Sequence, residues 1–175
     1  MEMERGTGVA DSTPQNKTIL AIDPGTEKSG WCIFQDGKVS DSGIDENDVI
    51  LSLVYGWLGG PMAIEMVSSY GMPVGREVFE TVLWIGRFVE AHQSPESVRL
   101  VYRKDVKLHL CGSPKAKDGN IRQALIDMFP RTGGGKTPQV GTKKQPGPLF
   151  GVSSHAWSAL AVAVYATHQR ELEAA

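Results

Sequence analysis

Two carboxylates stand in short apolar segments, where an acid is costly unless it is paired or bound to a cation. Asp23 closes the segment 18–23, and Glu65 lies within the segment 61–67. Both segments have the length and apolar character of buried strands. Either acid alone is typical of a strand end that faces water or caps a turn. Together they predict one divalent cation site built from two strands, with metal-dependent phosphodiester hydrolysis as its chemistry.

Length and composition limit the class of protein. The chain has 175 residues, of which 41% are hydrophobic, and this fits one domain with its own core. Residues 1–17 are polar and are predicted to form a disordered tail, and residues 18–175 a single domain. No apolar run reaches the roughly 20 residues that span a bilayer, so no membrane association is expected. Cys32 and Cys111 cannot make a disulfide framework, so a reducing cytoplasm is the expected location.

Charge is unevenly distributed, although the net charge is only −2. Residues 1–50 hold ten acids against four bases, whereas residues 101–150 hold three acids against ten bases. The basic segment predicts a face that binds a polyanion, but a solvated surface without a partner has the same composition. Its bases are Arg103, Lys104, Lys107, Lys115, Lys117, Arg122, Arg131, Lys136, Lys143 and Lys144.

The order of elements predicts the scaffold that must bring the two acids together. Asp36-Gly37 is a hairpin turn, and Asp45 and Asp118 are the expected N-caps of helices. Because the later strands need crossover helices, the sheet should be mixed and covered by helices. This is an α/β, RNase H-like fold with a five-stranded mixed sheet flanked by helices. The predicted elements are strands at 18–23, 31–35 and 38–43, a helix at 46–58, a strand at 61–67, a helix at 76–92, a strand at 98–102, and helices at 105–110, 120–129 and 154–172.

Four segments, in order, resemble the motifs of RuvC-type Holliday junction resolvases, an RNase H-like family with bacterial and phage members. The resemblance covers residues 18–167, nearly the whole chain. The matching segments are 19–25 with Gly30-Trp31, Ala63-Ile64-Glu65 with the helix containing 83–87, the basic stretch with Tyr102, 106–107, Gly112 and 116–118, and the last helix at 155–161.

The resemblance implies a dimeric, metal-dependent endonuclease that resolves four-way DNA junctions by paired symmetric nicks. It assigns Asp23, Glu65 and His155 as catalytic residues and metal ligands, with Mg²⁺ or Mn²⁺ in two ions about 4 Å apart. The positive end of a helix favours the neutral, ligating form of His155. Lys117 matches a basic position near the active site and is a further catalytic candidate.

The same resemblance implies that the basic segment binds branched DNA through phosphate contacts. Tyr70, in the loop after Glu65, is the candidate for contacting junction bases, with a packed loop aromatic as the alternative. The helix at 76–92, with Trp84 and Phe88, is the candidate homodimer interface, unless its aromatics belong to the core. The DNA-binding candidates are Tyr70, Arg76, Lys104, Lys107, Lys115, Lys117, Arg122, Lys136, Lys143 and Lys144.

The segment 130–150 is rich in Gly, Pro and Lys and contains Gly133-Gly134-Gly135-Lys136-Thr137. This run is similar to part of a phosphate-binding loop, but the first glycine of that motif would fall at Pro130, and the segment follows a helix instead of a strand. No nucleotide cofactor is therefore predicted. A flexible loop that closes on DNA is the preferred interpretation.

Ser158 departs from the family pattern, which usually has an acid three residues after the position of His155, or acids at both positions. The chain is an inactivated variant, or is active with fewer carboxylates and relies on His155, or uses Asp118 or Asp127 instead. Ser158 shares a helix face with His155 and is a degenerate ligand position that can hold a ligated water. The competing functions are a catalytically inactive junction-binding protein, a ribonuclease of the same fold, and a sugar-kinase-like or actin-like ATPase. The last would need a second domain and a second phosphate loop.

Overall fold

The structure is a computed structural model, and it describes residues 18–69 and 71–175. The tail predicted at 1–17 and the base contact predicted for Tyr70 lie outside the described residues. A five-stranded mixed sheet forms the centre of the fold, in the order β3-β2-β1-β4-β5, which confirms the predicted sheet. Its strands are β1 (Thr18–Asp23), β2 (Lys28–Gln35), β3 (Lys38–Glu46), β4 (Met62–Met66) and β5 (Arg99–Tyr102).

Five α-helices cover this sheet, as the crossover connections require. None of the helices among the described residues is long and apolar enough to cross a membrane. A short 3-10 turn at Pro95–Ser97 precedes β5. The helices are α1 (Asn47–Gly56), α2 (Arg76–Ala91), α3 (Arg103–Cys111), α4 (Asp118–Met128) and α5 (His155–Glu173).

β1 is the central strand, antiparallel to β2 on one side and parallel to β4 on the other. In the parallel pair, Ile22 lies opposite Ile64. The next residue of each strand is an acid, so the register sets Asp23 beside Glu65 at the carboxyl ends of both strands. This adjacency is a consequence of pairing between segments about 40 residues apart in the chain.

Two hydrophobic cores lie on opposite faces of the sheet. Ile19 and Ala21 of β1 belong to the core under α5, whereas Leu20 and Ile22 belong to the core under α1 and α2. This alternation is the period of two that a strand imposes on its side chains. Asp23 continues the series of Ile19 and Ala21, so its carboxylate emerges on the face that α5 covers.

Asp45 and Asp118 are not the N-caps that the sequence predicted, because each lies inside a neighbouring strand or helix. β3 runs three residues further than predicted, so Asp45 is a strand residue whose Oδ2 accepts a 2.7 Å hydrogen bond from the Trp31 indole. α4 begins at Asp118 itself, with Lys117 at the N-cap position. The Asn120 side chain accepts the backbone N–H of Lys117 at 2.9 Å.

Segment 130–150 is irregular, as predicted, but it is folded back on itself. Gly134 donates its backbone N–H to Gln145, and Gly147 donates to Val140. Leu149 is fully buried in the core under α5. The turns therefore anchor this loop to the body of the protein, and its exposed lysines project from an anchored base.

Candidate active site

Asp23 and Glu65 form the centre of the candidate site. Their side chains retain only 14% and 16% exposure, and both emerge on the face of the sheet that packs against α5. Glu65 shares this face because Ala63, two residues earlier, belongs to the α5 core. Two acids this deeply placed need partners, and the structure supplies a different one to each.

Asp23 is held by the first turn of α5. The Nδ1 atom of His155 lies 2.9 Å from Oδ2 of Asp23. Ser158, one turn further along α5, lies on the same side of the helix and faces Asp23. Burial raises the pKa of Asp23, while the hydrogen bond and charge of His155 partly oppose that rise. The predicted convergence of Asp23 and His155 is therefore present as a direct contact.

Close packing at Gly30 makes that contact possible. Gly30 lies opposite Asp23 in the β1–β2 pair. A Cβ placed on Gly30 would lie 2.8 Å from the Cβ of His155 and closer still to its carbonyl group. Ser154, immediately before α5, has a φ of +41°, an uncommon conformation for a residue with a side chain. The backbone is therefore strained at Ser154, where α5 begins in close contact with β2.

A buried polar network fixes the turn that follows Asp23. The Ser29 hydroxyl donates a 2.6 Å hydrogen bond to Oδ1 of Asn47, and Nδ2 of Asn47 donates to the Gly25 carbonyl at 3.0 Å. The backbone N–H of Gly25 donates in turn to Ser29. Asn47 is only 1% exposed, so these bonds are not exchanged with water. The first residue of α1 therefore holds the turn between β1 and β2.

Glu65 is held by Arg103, the first residue of α3. Nη1 of Arg103 lies 3.1 Å from Oε2 of Glu65, and Nη2 lies 2.6 Å from Oδ1 of Asp118. The hydrogen bond from Arg103 lowers the pKa of Asp118. Burial, followed by the charge of Asp23, raises the pKa of Glu65 to about 7, against the opposing effect of Arg103. One guanidinium thus bridges the carboxylates of β4 and α4.

The donor set fits one hard cation better than two. Asp23 and Glu65 supply the carboxylate oxygens that Mg²⁺ and Mn²⁺ prefer, and Mg²⁺ commonly uses one or two carboxylates with waters and phosphate oxygens. Within residues 18–69 and 71–175, no three Asp, Glu, His or Cys side chains are grouped closely enough to hold a metal ion. His155 faces Asp23 through Nδ1, which leaves its Nε2 as the nitrogen free to face a ligand.

A cavity of about 360 Å³ is lined by residues that contact the two carboxylates, although Asp23 and Glu65 do not line it themselves, and we call it the catalytic cavity. His155 and Ser158 of α5 line it together with Arg103, Asp118 and Arg122. The guanidinium of Arg122 stacks over the Trp157 ring at 4.7 Å. The helix-face argument for His155 and Ser158 therefore holds, because both reach the same cavity.

Basic residues extend from the catalytic cavity in two directions. Arg103 also lines a neighbouring cavity with Lys104 and Lys107. Arg122 lines another, which includes Lys136 of the folded loop. The catalytic cavity thus adjoins predicted DNA-binding residues of α3, α4 and the loop, and we call this set the basic band.

The other predicted contacts are more scattered. Arg76 begins α2, where it pairs with Glu80. Lys115, Lys117, Lys143 and Lys144 are exposed, and the base that contacts Glu65 is Arg103 instead of Lys117. The catalytic role of Lys117 stays a prediction.

Several functional neighbours were not identified from the sequence as part of the site. Arg103 was assigned only to the basic segment, although it directly follows β5, whose residue Val101 lies opposite Glu65. The hydrogen bond between Ser29 and Asn47 joins residues 18 apart in the chain, and no local sequence pattern predicts it.

Phe88 follows the alternative that the sequence left open, because it belongs to the core and is not available as a dimer contact. Phe88 is completely buried in the core under α1 and α2, because α2 turns that face onto the sheet. Trp84 packs partly against the same core, with the Arg87 guanidinium 4.6 Å above its ring. The exposed apolar side chains of α2 are instead Phe79, Val82 and Leu83.

Comparisons with known proteins show likeness at the level of the fold. No protein-family model matches the chain, and no curated protein matches it. A solved structure of Thermus thermophilus RuvC matches with a TM-score of 0.61 at 18% identity, covering 88% of this chain and 96% of that chain. The same protein in complex with a Holliday junction substrate matches with a TM-score of 0.59 at 18% identity, covering 88% and 95%. The predicted α/β, RNase H-like fold is therefore confirmed.

Proposed function

We propose that this protein is a structure-specific endonuclease that cuts four-way DNA junctions with the help of a divalent cation. The observation that carries the proposal is the pair Asp23 and Glu65, set side by side by the β1–β4 register within a basic band. The likeness to a fold solved with a Holliday junction substrate supports the choice of branched DNA as the substrate.

Asp23 and Glu65 would hold one Mg²⁺ or Mn²⁺, with water and phosphate oxygens completing its shell. When bound, the cation supplies Lewis acidity toward a phosphate oxygen and a lowered pKa for a coordinated water. Cation binding favours the ionised form of Glu65, so the raised pKa of this residue makes binding weaker in mildly acidic solution. This donor set supports one ion, where the family resemblance implied two.

The residues around the carboxylates have separate tasks in this proposal. His155 donates through Nδ1 to Asp23, which fixes the ring and presents Nε2 to a water in the catalytic cavity. Arg103, already desolvated beside Glu65, is placed to stabilise the charge of a scissile phosphate. Lys117 remains a candidate for the same phosphate, and Arg122, Lys104, Lys107 and Lys136 would hold the flanking backbone.

A catalytically inactive junction-binding protein is the second candidate. The observation that favours it is Ser158, which occupies the cavity wall beside Asp23 and brings no charge. Asp118 does not complete a ligand group with Asp23 and Glu65, because no three such side chains of the described residues lie close enough together to hold a metal ion. A hydroxyl is a weaker ligand for Mg²⁺ than a carboxylate, so binding without cleavage is the behaviour expected of this alternative.

A cleavage assay on a labelled four-way junction distinguishes the two candidates. Linear duplex and an RNA–DNA hybrid of the same sequence are the substrate controls, each with Mg²⁺, Mn²⁺ or chelator. Asp23→Asn removes the central carboxylate charge, and Asp41→Asn makes the same exchange at an exposed position of β3. Ser158→Asp restores an acid at the degenerate position.

Paired nicks on the junction, lost in Asp23→Asn and kept in Asp41→Asn, would support the nuclease. Junction binding without nicks, with cleavage appearing only in Ser158→Asp, would support the inactive alternative. Cleavage of the hybrid in preference to the junction would replace both with a ribonuclease. Equal binding to junction and linear duplex, without cleavage, would contradict junction specificity altogether.

A homodimer remains part of the proposal, because symmetric nicks require two active sites. The exposed apolar side chains Phe79 and Leu83 of α2, with Tyr55 of α1, give the surface proposed for self-association. A shallow cavity between α1 and α2, lined by Tyr55, Val82 and Leu83, belongs to the same surface.

A further inference from the structure

Two histidines meet on the outer surface, away from the candidate active site. Nε2 of His109 on α3 lies 2.8 Å from Nδ1 of His168 on α5. The ring centroids are 5.1 Å apart, with the planes inclined at 56°. His109 is exposed and His168 half-buried, so solvent reaches the pair. In this contact one ring donates an N–H, and the facing nitrogen of the other ring is unprotonated and accepts it through its lone pair.

The pair is held by its surroundings. Tyr165, one turn before His168 on α5, packs edge-on against the His109 ring at 5.4 Å. Burial, followed by the positive charge of His168, lowers the pKa of His109. Asp105 of α3 lies near Tyr165 and brings a negative charge to the same surface. Two imidazole nitrogens this close together are the donors that borderline transition cations prefer.

This surface is independent of the carboxylate site. His168 follows His155 by 13 residues on α5, which corresponds to about 20 Å along the helix axis. The pair nevertheless connects the two helices that begin at the active site. Arg103, the first residue of α3, contacts Glu65, and His155, the first residue of α5, contacts Asp23. A link at their far ends would restrain both helices without touching the catalytic groups.

We infer that His109 and His168 form a binding site for a transition-metal cation of the Zn²⁺ class, which clamps α3 to α5. Water completes the coordination, since the described residues place no third Asp, Glu, His or Cys close enough to form a ligand group. Metal binding replaces the shared proton of the pair, and the ring that donates without metal moves that proton to its other nitrogen. Two nitrogens on tetrahedral zinc lie about 3.3 Å apart, so the rings must separate slightly and each must turn until its lone pair points at the cation.

The test is a thermal unfolding titration of the untagged protein with ZnCl₂, in excess Mg²⁺ and without DNA. The Mg²⁺ occupies oxygen sites and does not compete for imidazoles. His109→Gln and His168→Gln each remove one ligand. His155→Gln and Cys111→Ser are the matched controls, since they remove the other solvent-reachable nitrogen and sulfur ligands.

Saturating Zn²⁺ should raise the midpoint of the wild type by about 5 °C. The shift should be lost in both pair variants and kept in both controls. Absence of a shift in the wild type would overturn the inference, and so would a full shift in His109→Gln. Loss of the shift in Cys111→Ser or His155→Gln alone would show that the metal binds at another site, and it would also overturn the inference. Circular dichroism of the metal-free variants shows whether each remains folded, and Co²⁺ absorption spectra of the same set give a second readout of imidazole ligation.

Discussion

Gly30 on β2 packs directly against the backbone of His155 at the start of α5. A Cβ at Gly30 would lie 2.8 Å from the Cβ of His155 and nearer still to its carbonyl group. Because Gly30 is also the β-sheet partner of Asp23, the same close approach determines the distance between the Asp23 carboxylate and the His155 ring. A residue without a side chain thus sets the geometry of two residues that carry one.

Replacing Gly30 by alanine should therefore separate α5 from β2. The added methyl meets backbone instead of a flexible side chain, so we expect a loss of about 2 kcal/mol in unfolding free energy. Cleavage should fall together with stability, because the Asp23–His155 contact lengthens. Gly86→Ala is the matched control, since Gly86 lies in α2 with open space around it and should gain up to about 1 kcal/mol. Equal stability of the two variants in urea would contradict the packing argument.

Glu65→Gln should remove a pH dependence of stability in the metal-free protein. The folded pKa of about 7 lies above the usual 4.5, so folding favours protonated Glu65. Its stabilisation is complete below pH 4.5 and is lost as the pH rises through 7, an effect on the order of 3 kcal/mol. The variant should be more stable than wild type at pH 8 and similar at pH 4.5.

Urea titrations in chelator between pH 4.5 and pH 8 measure this difference. The exposed Glu171 gives the control Glu171→Gln, which should follow the wild type across the range. A parallel pH profile for Glu65→Gln and wild type would show that Glu65 ionises normally. Only the difference between variant and wild type is used, because other groups also titrate over this range.

Arg103→Gln should destabilise the protein by about 2 kcal/mol, because it leaves Glu65 without its cationic partner in a half-buried site. Arg103→Lys should recover only part of the loss, since an ammonium lacks the fork that reaches Glu65 and Asp118 together. Arg99→Gln is the control, where the pair with the exposed Glu173 contributes less than about 1 kcal/mol. Comparable losses at Arg99 and Arg103 would refute the bridging role.

Asn47→Ala should cost about 2 kcal/mol, because the Ser29 hydroxyl and the Gly25 carbonyl both lose a buried partner. The turn after Asp23 should loosen, so amide exchange of Gly25 and Ser29 should accelerate. The comparison variant Asn120→Ala removes an exposed amide that accepts one backbone N–H, and it should cost about 1 kcal/mol or less. Unchanged exchange at Gly25 in Asn47→Ala would show that the turn holds without α1.

Leu83→Arg should shift the protein toward the monomer if α2 mediates the proposed self-association. Leu83 is 60% exposed, so the exchange places charge on the α2 surface without disturbing the core. Leu172→Arg makes the same exchange at the exposed end of α5 and should leave the oligomeric state unchanged. Sedimentation at micromolar concentration measures both, and a wild type that sediments as a monomer would count against the dimer itself.

The sequence alone determined the sheet and the two acids at its centre. Apolar runs of strand length and the hairpin turn at Asp36-Gly37 are local signals, because side-chain burial and turn geometry act over a few residues. The tertiary structure decided which groups meet those acids. Arg103 reaches Glu65 through the β4–β5 register, Asn47 reaches Ser29 across a hairpin, and His109 meets His168 across two helices. Such contacts depend on how segments that are distant in the chain pack together. The hydrophobic periodicity of each segment does not determine that packing. Phe88 and Leu83 illustrate the same limit, because which side of α2 faces the sheet depends on how that helix packs.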